Sequence, residues 1–336
     1  MAARGAAEGA AVDAGAVDAP DRAAGIRLIA SDLDGTILHA DGTVTTRTVE
    51  AFRAARAAGI EIVFVTGRPF RWLGPVQRAF GHLGTVICSN GALVYDQEDE
   101  RVLHSWTLDA ATVTEVRRRI LALEPEALFA AETTAGLYLE PGFVTEEEAL
   151  RLDGVRPAAL PEDRLEQEGT VKLLAKLYGG TSEDFRRAVH PEVAELVAVT
   201  HSAPGVALLE MSRPDVNKAV ALERYAADLG IDRHQVAAFG DMPNDIEMLA
   251  WAGLGCAMGS GHRLAKAAAA EVTGGLDDDG VAQRIERLLA ARADRPDRAG
   301  GPAGTPSDRA GGSTGTPSDR AGGSTGTPSD RGPAAP

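Results

Sequence analysis

The chain has 336 residues, 44% of them hydrophobic and 4% aromatic, and a net charge of −15. That composition supports a core of Ala, Val, Leu and Ile, and the acidity argues against a general binder of nucleic acid or of an anionic membrane. A phosphorylated small molecule stays open as a partner, because a metal ion and one or two local cations override the global field.

Residues 1–24 are Ala/Gly-rich with Asp13 and Asp18 inside. They lack the apolar stretch of a signal peptide and read as a disordered leader. No later run approaches transmembrane length, so a cytoplasmic protein is expected. Ile26–Ser31 is a short apolar run and predicts a buried strand. Asp41-Gly42 signals a turn, and a small hairpin flap is expected over 37–44. A helix should begin near Thr45 or Thr46 and stop at Gly59. Strand Ile60–Val65, helix 69–80 and strand 85–88 follow. Far downstream come helix 217–229, strand 235–239, a helix from 243, strand 254–257, helix 260–270 and a last helix over 280–292. This alternation predicts a Rossmann-like, doubly wound parallel sheet with helices on both faces.

The middle breaks the rhythm. Helices are expected at 109–123, 145–151 and 181–189, and strands at 136–140, 171–177, 195–201 and 205–210. That pattern reads as an inserted α+β unit with a mainly antiparallel sheet. The expected organisation is a leader (1–24), a first core part (25–106), an inserted cap (107–207), a second core part (208–292) and a tail (293–336). In the tail, GTPSDRAGGST recurs with a period of 11 residues. The repeat holds no large apolar residue, so it is a flexible tract and not a solenoid. Cys88 and Cys256 lie in separate apolar runs, show no disulfide or zinc spacing, and are expected as buried free thiols.

The strand at 26–31 empties into Asp32-Leu33-Asp34-Gly35-Thr36. Two carboxylates one residue apart stand where a parallel strand ends, the place where ligands bind in open α/β sheets. On an extended strand they would share a face and repel, unless a cation or a proton intervenes. Alone, the motif fits an exposed turn equally well. Thr66-Gly67-Arg68 ends the second strand, where a hydroxyl and free amides can hold phosphate oxygens or simply cap a turn. Lys218 stands in the first turn of its helix against the helix dipole, a placement that calls for a reason. Asp241 and Asp245 flank Pro243 and Asn244 at another strand end. They could cap a helix, but two acids and an Asn there fit a hard, oxygen-seeking cation such as Mg²⁺ better.

In order, DLDGTIL, TGR, Lys218 and GDMPND resemble the motifs of the haloacid-dehalogenase-like phosphohydrolases over about 26–290. The cap position resembles that of the Cof-like sugar-phosphate phosphatases. Asn90 in SNGA also resembles a family segment on the substrate side. Cys256–Gly259 and Asp278–Ala282 do too, but Ser260-Gly261 stand where the family has Asn-Ala, so they carry no role here. The resemblance implies Asp32 as nucleophile and Asp34 as general acid and base. It implies Mg²⁺ on Asp32, Asp241 and the backbone of Asp34, with Asp245 direct or through water. Thr66, Gly67, Arg68, Asn90, Lys218 and Asn244 would then hold phosphate and substrate. The implied substrate is a small phosphorylated metabolite, most simply a sugar phosphate.

Two other readings compete. A phosphohexomutase would need extra basic cap residues, for which Arg151, Arg156, Arg164, Lys172 and Lys176 are the candidates. A non-catalytic sugar-phosphate binder is opposed by the intact acids. A dinucleotide-binding enzyme lacks the GxGxxG that should follow the first strand.

Overall fold

The computed structural model describes residues 25–81, 84–144, 155–157, 160–200 and 207–294. The expected leader, the helix at 145–151 and the repeat tail from 295 on lie outside the described residues.

Eight strands form one sheet, in the order β14-β13-β12-β1-β2-β3-β4-β5. β1 (Leu28–Ser31) lies between β12 (Val236–Gly240) and β2 (Glu61–Val65), parallel to both. β13 (Leu254–Ala257) and β14 (Glu271–Val272) continue the sheet on one side, and β3 (Thr85–Cys88) continues it on the other, all parallel. β1, Leu-Ile-Ala-Ser, is buried along its whole length because both of its faces are covered. Ile29 packs into one core with Phe52, Phe64 and Phe80, while Leu28 and Ala30 pack into a second core with Leu222 and Met248. The helix Thr46–Ala57 brings Phe52 to the first core, where its ring stands 5.5 Å from those of Phe64 and Phe80. Thr45 caps that helix by accepting the Thr48 N–H.

The parallel reading fails at one edge. β4 (Leu93–Asp96) and β5 (Arg101–Ser105) add two antiparallel strands beside β3. The Glu-Asp-Glu-rich turn between them hid the hairpin, since β5 is largely exposed and shows no apolar alternation. Residues 37–44 form a turn closed by the His39 N–H to Thr43 O, with no strand of their own. The helix expected at 69–80 is broken into a 3-10 turn (Phe70–Trp72) and a helix (Gly74–Phe80).

Between β5 and Lys218 the chain builds a second, six-stranded sheet, in the order β10-β11-β9-β6-β7-β8. Its strands are β6 (Leu128–Thr133), β7 (Leu137–Leu139), β8 (Val155–Pro157), β9 (Thr170–Leu177), β10 (Ala198–Thr200) and β11 (Ala207–Ser212). All pairings are antiparallel except β7 with β8. Helices Ala110–Leu123 and Ser182–Val193 bury Val116, Ile120, Phe185 and Val189 against it. This is the expected α+β cap. β6 was not foreseen, because LFAAET has neither alternation nor β-branched residues before its end. The helix Glu162–Glu168 was not foreseen either. Among the described residues, no helix is long and apolar enough to cross a membrane.

Candidate active site

Parallel neighbours β1, β2 and β12 end together, and their C-terminal edge gathers the site. Asp32 follows β1 and donates its backbone N–H to Phe239 O, which fixes it beside the end of β12. There Asp241 follows Gly240. Asp32, Asp241 and Asp245 each offer an oxygen within 4.8 Å of the others. Lys218, 1% exposed, donates from Nζ to Asp32 Oδ1 and to Asp245 Oδ1, at 2.6 Å each. Its helix, Lys218–Asp228, is capped by Asn217, whose side chain accepts the Val220 N–H. The unfavourable helix position thus has its reason: two buried carboxylates hold the ammonium.

Asp245 accepts the backbone N–H groups of Asp241 and Met242 on Oδ2, at 3.0 and 2.9 Å. Both of its oxygens are therefore engaged, and it shapes the Asp241 turn. Thr36, at the end of the Asp32–Thr36 run, joins this group. Its Oγ1 lies 3.3 Å from Asp32 Oδ2 and 3.3 Å from Asp241 Oδ1, so it spans the two acids.

Asp34 leaves this group. The chain turns sharply after Leu33, whose carbonyl accepts from Thr36, Ile37 and Leu38, and Gly35 adopts φ +80°. Arg68 instead forks onto Asp34, with Nε to Oδ2 at 2.8 Å and Nη2 to Oδ1 at 2.5 Å. Thr66 is fully buried, and its Oγ1 accepts the Arg68 N–H. Asn90 holds φ +56°, its backbone N–H meets Thr66 O, and its Oδ1 accepts from Asn244 Nδ2 at 3.0 Å. Gly67 lies under the Asn90 amide, where a Cβ would stand 3.2 Å from Asn90 Oδ1. The ten residues singled out in the sequence thus occupy one sheet edge in two subsets, an acid–lysine cluster and a Thr66–Asn90–Asn244 rim, with Arg68 and Asp34 paired beside them.

Burial raises the Asp32 carboxyl to about 7, against the pull of Lys218, with Asp245 and Asp241 adding to the rise. Asp241 rises to about 6 for the same reasons, burial first and then Asp245. Burial opposes the charge on Lys218, but Asp32 and Asp245 more than offset it and hold the amine protonated. Three clustered carboxylates and one ammonium, which holds two of them, leave an excess of negative charge. A hard divalent cation fits that oxygen-only donor set.

Gly35 keeps the space beside Asp241 open. A Cβ there would lie 2.4 Å from Asp241 Oδ2, on a backbone that L side chains avoid. Gly35→Ala should displace Asp241 and lower apparent divalent-cation affinity at least ~10-fold. Titrating Mg²⁺ by calorimetry checks this, and a wild-type isotherm would refute it.

The haloacid dehalogenase-like hydrolase family model matches residues 29–285. The chain belongs to that family. Phosphatase YwpJ of Bacillus subtilis is 30% identical over 291 residues, covering 79% of this chain and 100% of that protein. The 5-amino-6-(5-phospho-D-ribitylamino)uracil phosphatase YitU of the same organism is 28% identical, covering 78% of this chain and 97% of its own length. The crystal structure of TM0651 from Thermotoga maritima aligns with a TM-score of 0.66 at 25% identity, over 78% of this chain and 97% of that one. In this haloacid dehalogenase-like chain the matched span takes in both sheets. Of the basic cap residues named above, Lys172 is held by Glu210 at 2.6 Å and Lys176 donates to Phe143 O at 2.9 Å. Arg164 is exposed, Arg151 lies outside the described residues, and of Arg156 only the strand is described. Among the described residues no cluster of uncommitted cap cations favours the mutase reading.

One acid at the cap seam has a pH consequence. Burial raises the Glu132 carboxyl from 4.5 to about 7, against the pull of Arg71 and Lys172. A carboxyl raised on folding contributes stability that is fully present below its unfolded value near 4.5 and lost as pH rises through about 7. Glu132→Gln should therefore flatten the fall in unfolding free energy between pH 5 and 8, by up to about 3 kcal/mol. Denaturant titrations at both pH values check it, and parallel pH slopes for variant and wild type would refute it.

Proposed function

We propose that this chain is a Mg²⁺-dependent phosphatase of small phosphorylated metabolites, sugar phosphates or their relatives, working through an aspartyl-phosphate on Asp32. It is a phosphoric monoester hydrolase of its family. The observation that carries the reading is the convergence of Asp32, Asp241 and Asp245 at one sheet edge, with the buried Lys218 paired to Asp32 and Asp245.

Asp32 is the nucleophile: one of its oxygens forms a bond to phosphorus while the bond from phosphorus to the leaving oxygen breaks. Lys218 keeps that carboxylate charged and aimed. Asp34 gives a proton to the leaving alcohol and then takes one from the water that attacks the aspartyl-phosphate. Arg68 must release one Asp34 oxygen for this, and the incoming phosphate, held by Thr66, Gly67 and Asn244, offers the guanidinium an alternative anion. Asn90 orients Asn244. Mg²⁺, held by Asp32, Asp241 and the Asp34 backbone with Asp245 behind, would neutralise the phosphoryl oxygens. The cap supplies the surface for the leaving group and excludes water. The name of YitU, a phosphatase of a phosphorylated ribityl compound, supports a small polar leaving group. The partner is a metabolite, neither nucleic acid nor membrane.

The test is phosphate release from p-nitrophenyl phosphate and from a panel of sugar, nucleotide and cofactor phosphates, with and without Mg²⁺. Turnover that EDTA abolishes is expected, with free phosphate and no isomerised sugar phosphate as product. No turnover of any compound with Mg²⁺ present would overturn the reading.

A further inference from the structure

Beside the phosphate rim, where cap meets core, stands a second group of charges that the mechanism does not use. Arg71, three residues beyond Arg68, donates from Nη2 to Glu132 Oε2 at 2.7 Å. The two side chains are 10% and 5% exposed. The Arg71 guanidinium lies over the Trp72 ring, 4.9 Å from its centroid. Glu132 on β6 is in register with Lys172 on β9. Lys172 Nζ reaches Gly67 O at 3.4 Å, so this seam touches the Thr66–Arg68 turn itself.

Among the described residues, three buried atoms there have no partner: Arg71 Nε, Arg71 Nη1 and Glu132 Oε1. Buried polar atoms are almost always paired, and leaving charged groups short of partners is costly. What is missing is specific in kind. The seam lacks an acceptor for Arg71 and a donor for Glu132, on two side chains already joined to each other. A carboxylate would suit Arg71 and be repelled by Glu132, and an ammonium would do the reverse. A hydroxyl group accepts and donates at once.

Resting on the phosphatase reading above, we propose that Arg71 and Glu132 form the leaving-group subsite and select a polyhydroxylated alcohol, a sugar or polyol chain. The core turn supplies the donors and cap strand β6 the acceptor. The subsite is therefore complete only when the substrate lies between the two layers. Phe70 and Trp72 on either side of Arg71 do not offer this pairing, since neither carries an acceptor.

The test compares kcat/KM for glucose 6-phosphate, ribose 5-phosphate and erythritol 4-phosphate with that for p-nitrophenyl phosphate, whose leaving group carries no extra hydroxyl. The full chain with Mg²⁺ is used, as wild type, Glu132→Gln and Arg71→Lys. Wild type should prefer at least one of the three over p-nitrophenyl phosphate. In each variant that preference ratio should fall about 10- to 100-fold, mainly through KM. A merely structural pair would lower both substrates alike, so a ratio unchanged within about threefold in both variants overturns the proposal. So does a wild type with no preference across the panel. A wild type inert to every compound, p-nitrophenyl phosphate included, overturns the phosphatase reading itself, a separate outcome.

Discussion

Lys218→Met is expected to destabilise the fold by about 3–5 kcal/mol at pH 8 without divalent cation, because removing one partner of a buried ion pair strands the other. Here it strands two carboxylates, Asp32 and Asp245, each 2.6 Å from Nζ in the wild type. Asp32 is 6% exposed and Asp245 is fully buried, so water cannot take over. Methionine fills similar volume, which leaves the missing charge as the main loss. Mg²⁺ should restore part of the stability, by mass action on a site the unfolded chain lacks. Denaturant unfolding with and without Mg²⁺ measures both effects. Wild-type stability in the metal-free variant would show that the lysine does not neutralise the cluster.

Asp32→Asn should do the opposite. Turnover should fall on the order of 10⁴-fold or more, since an amide cannot replace a carboxylate nucleophile. Stability should hold or rise at pH 8. Asp32 is raised to about 7, so its ionised form is disfavoured in the fold, and that cost grows as pH climbs through 7. Asparagine removes it while Lys218 keeps Asp245. Steady-state kinetics and thermal unfolding on one preparation check the pair of outcomes. An Asp32→Asn protein that unfolds more readily than wild type, or one that retains a tenth of the activity, would refute the assignment of Asp32 as a strained nucleophile. The two substitutions together separate a group kept for charge balance from one kept for chemistry.

Much of this was legible in the chain. β1 is three apolar residues and a serine followed at once by Asp32, and its two-sided burial follows from that run. Lys218 announced itself by standing where a helix disfavours a cation. Strand ends are where chain-distant residues meet in a parallel sheet, so the strand order together with the family resemblance brought Asp241 to Asp32. Pairings between side chains on different elements were not legible. Nothing in the spacing of Asp34 and Arg68 says that they fork onto each other. Arg71 and Glu132 meet only because β6 lies over the core edge, and β6 itself lacked a readable pattern. The β4–β5 edge was hidden for a related reason. A strand half in solvent need not carry apolar residues, so its sequence resembles a loop.

The two crossings between the sheets pass the same short turn, Ser89–Gly91. On the outbound strand, Trp106 donates its backbone N–H to the carbonyl of Ala92. On the return, Asn217 O presses so close on Gly91 that a Cβ there would stand 2.2 Å from it. The outer layer is therefore hung from the inner one by a pair of adjacent threads. The same suspension sets the return thread, at Asn217, one residue before the ammonium of Lys218.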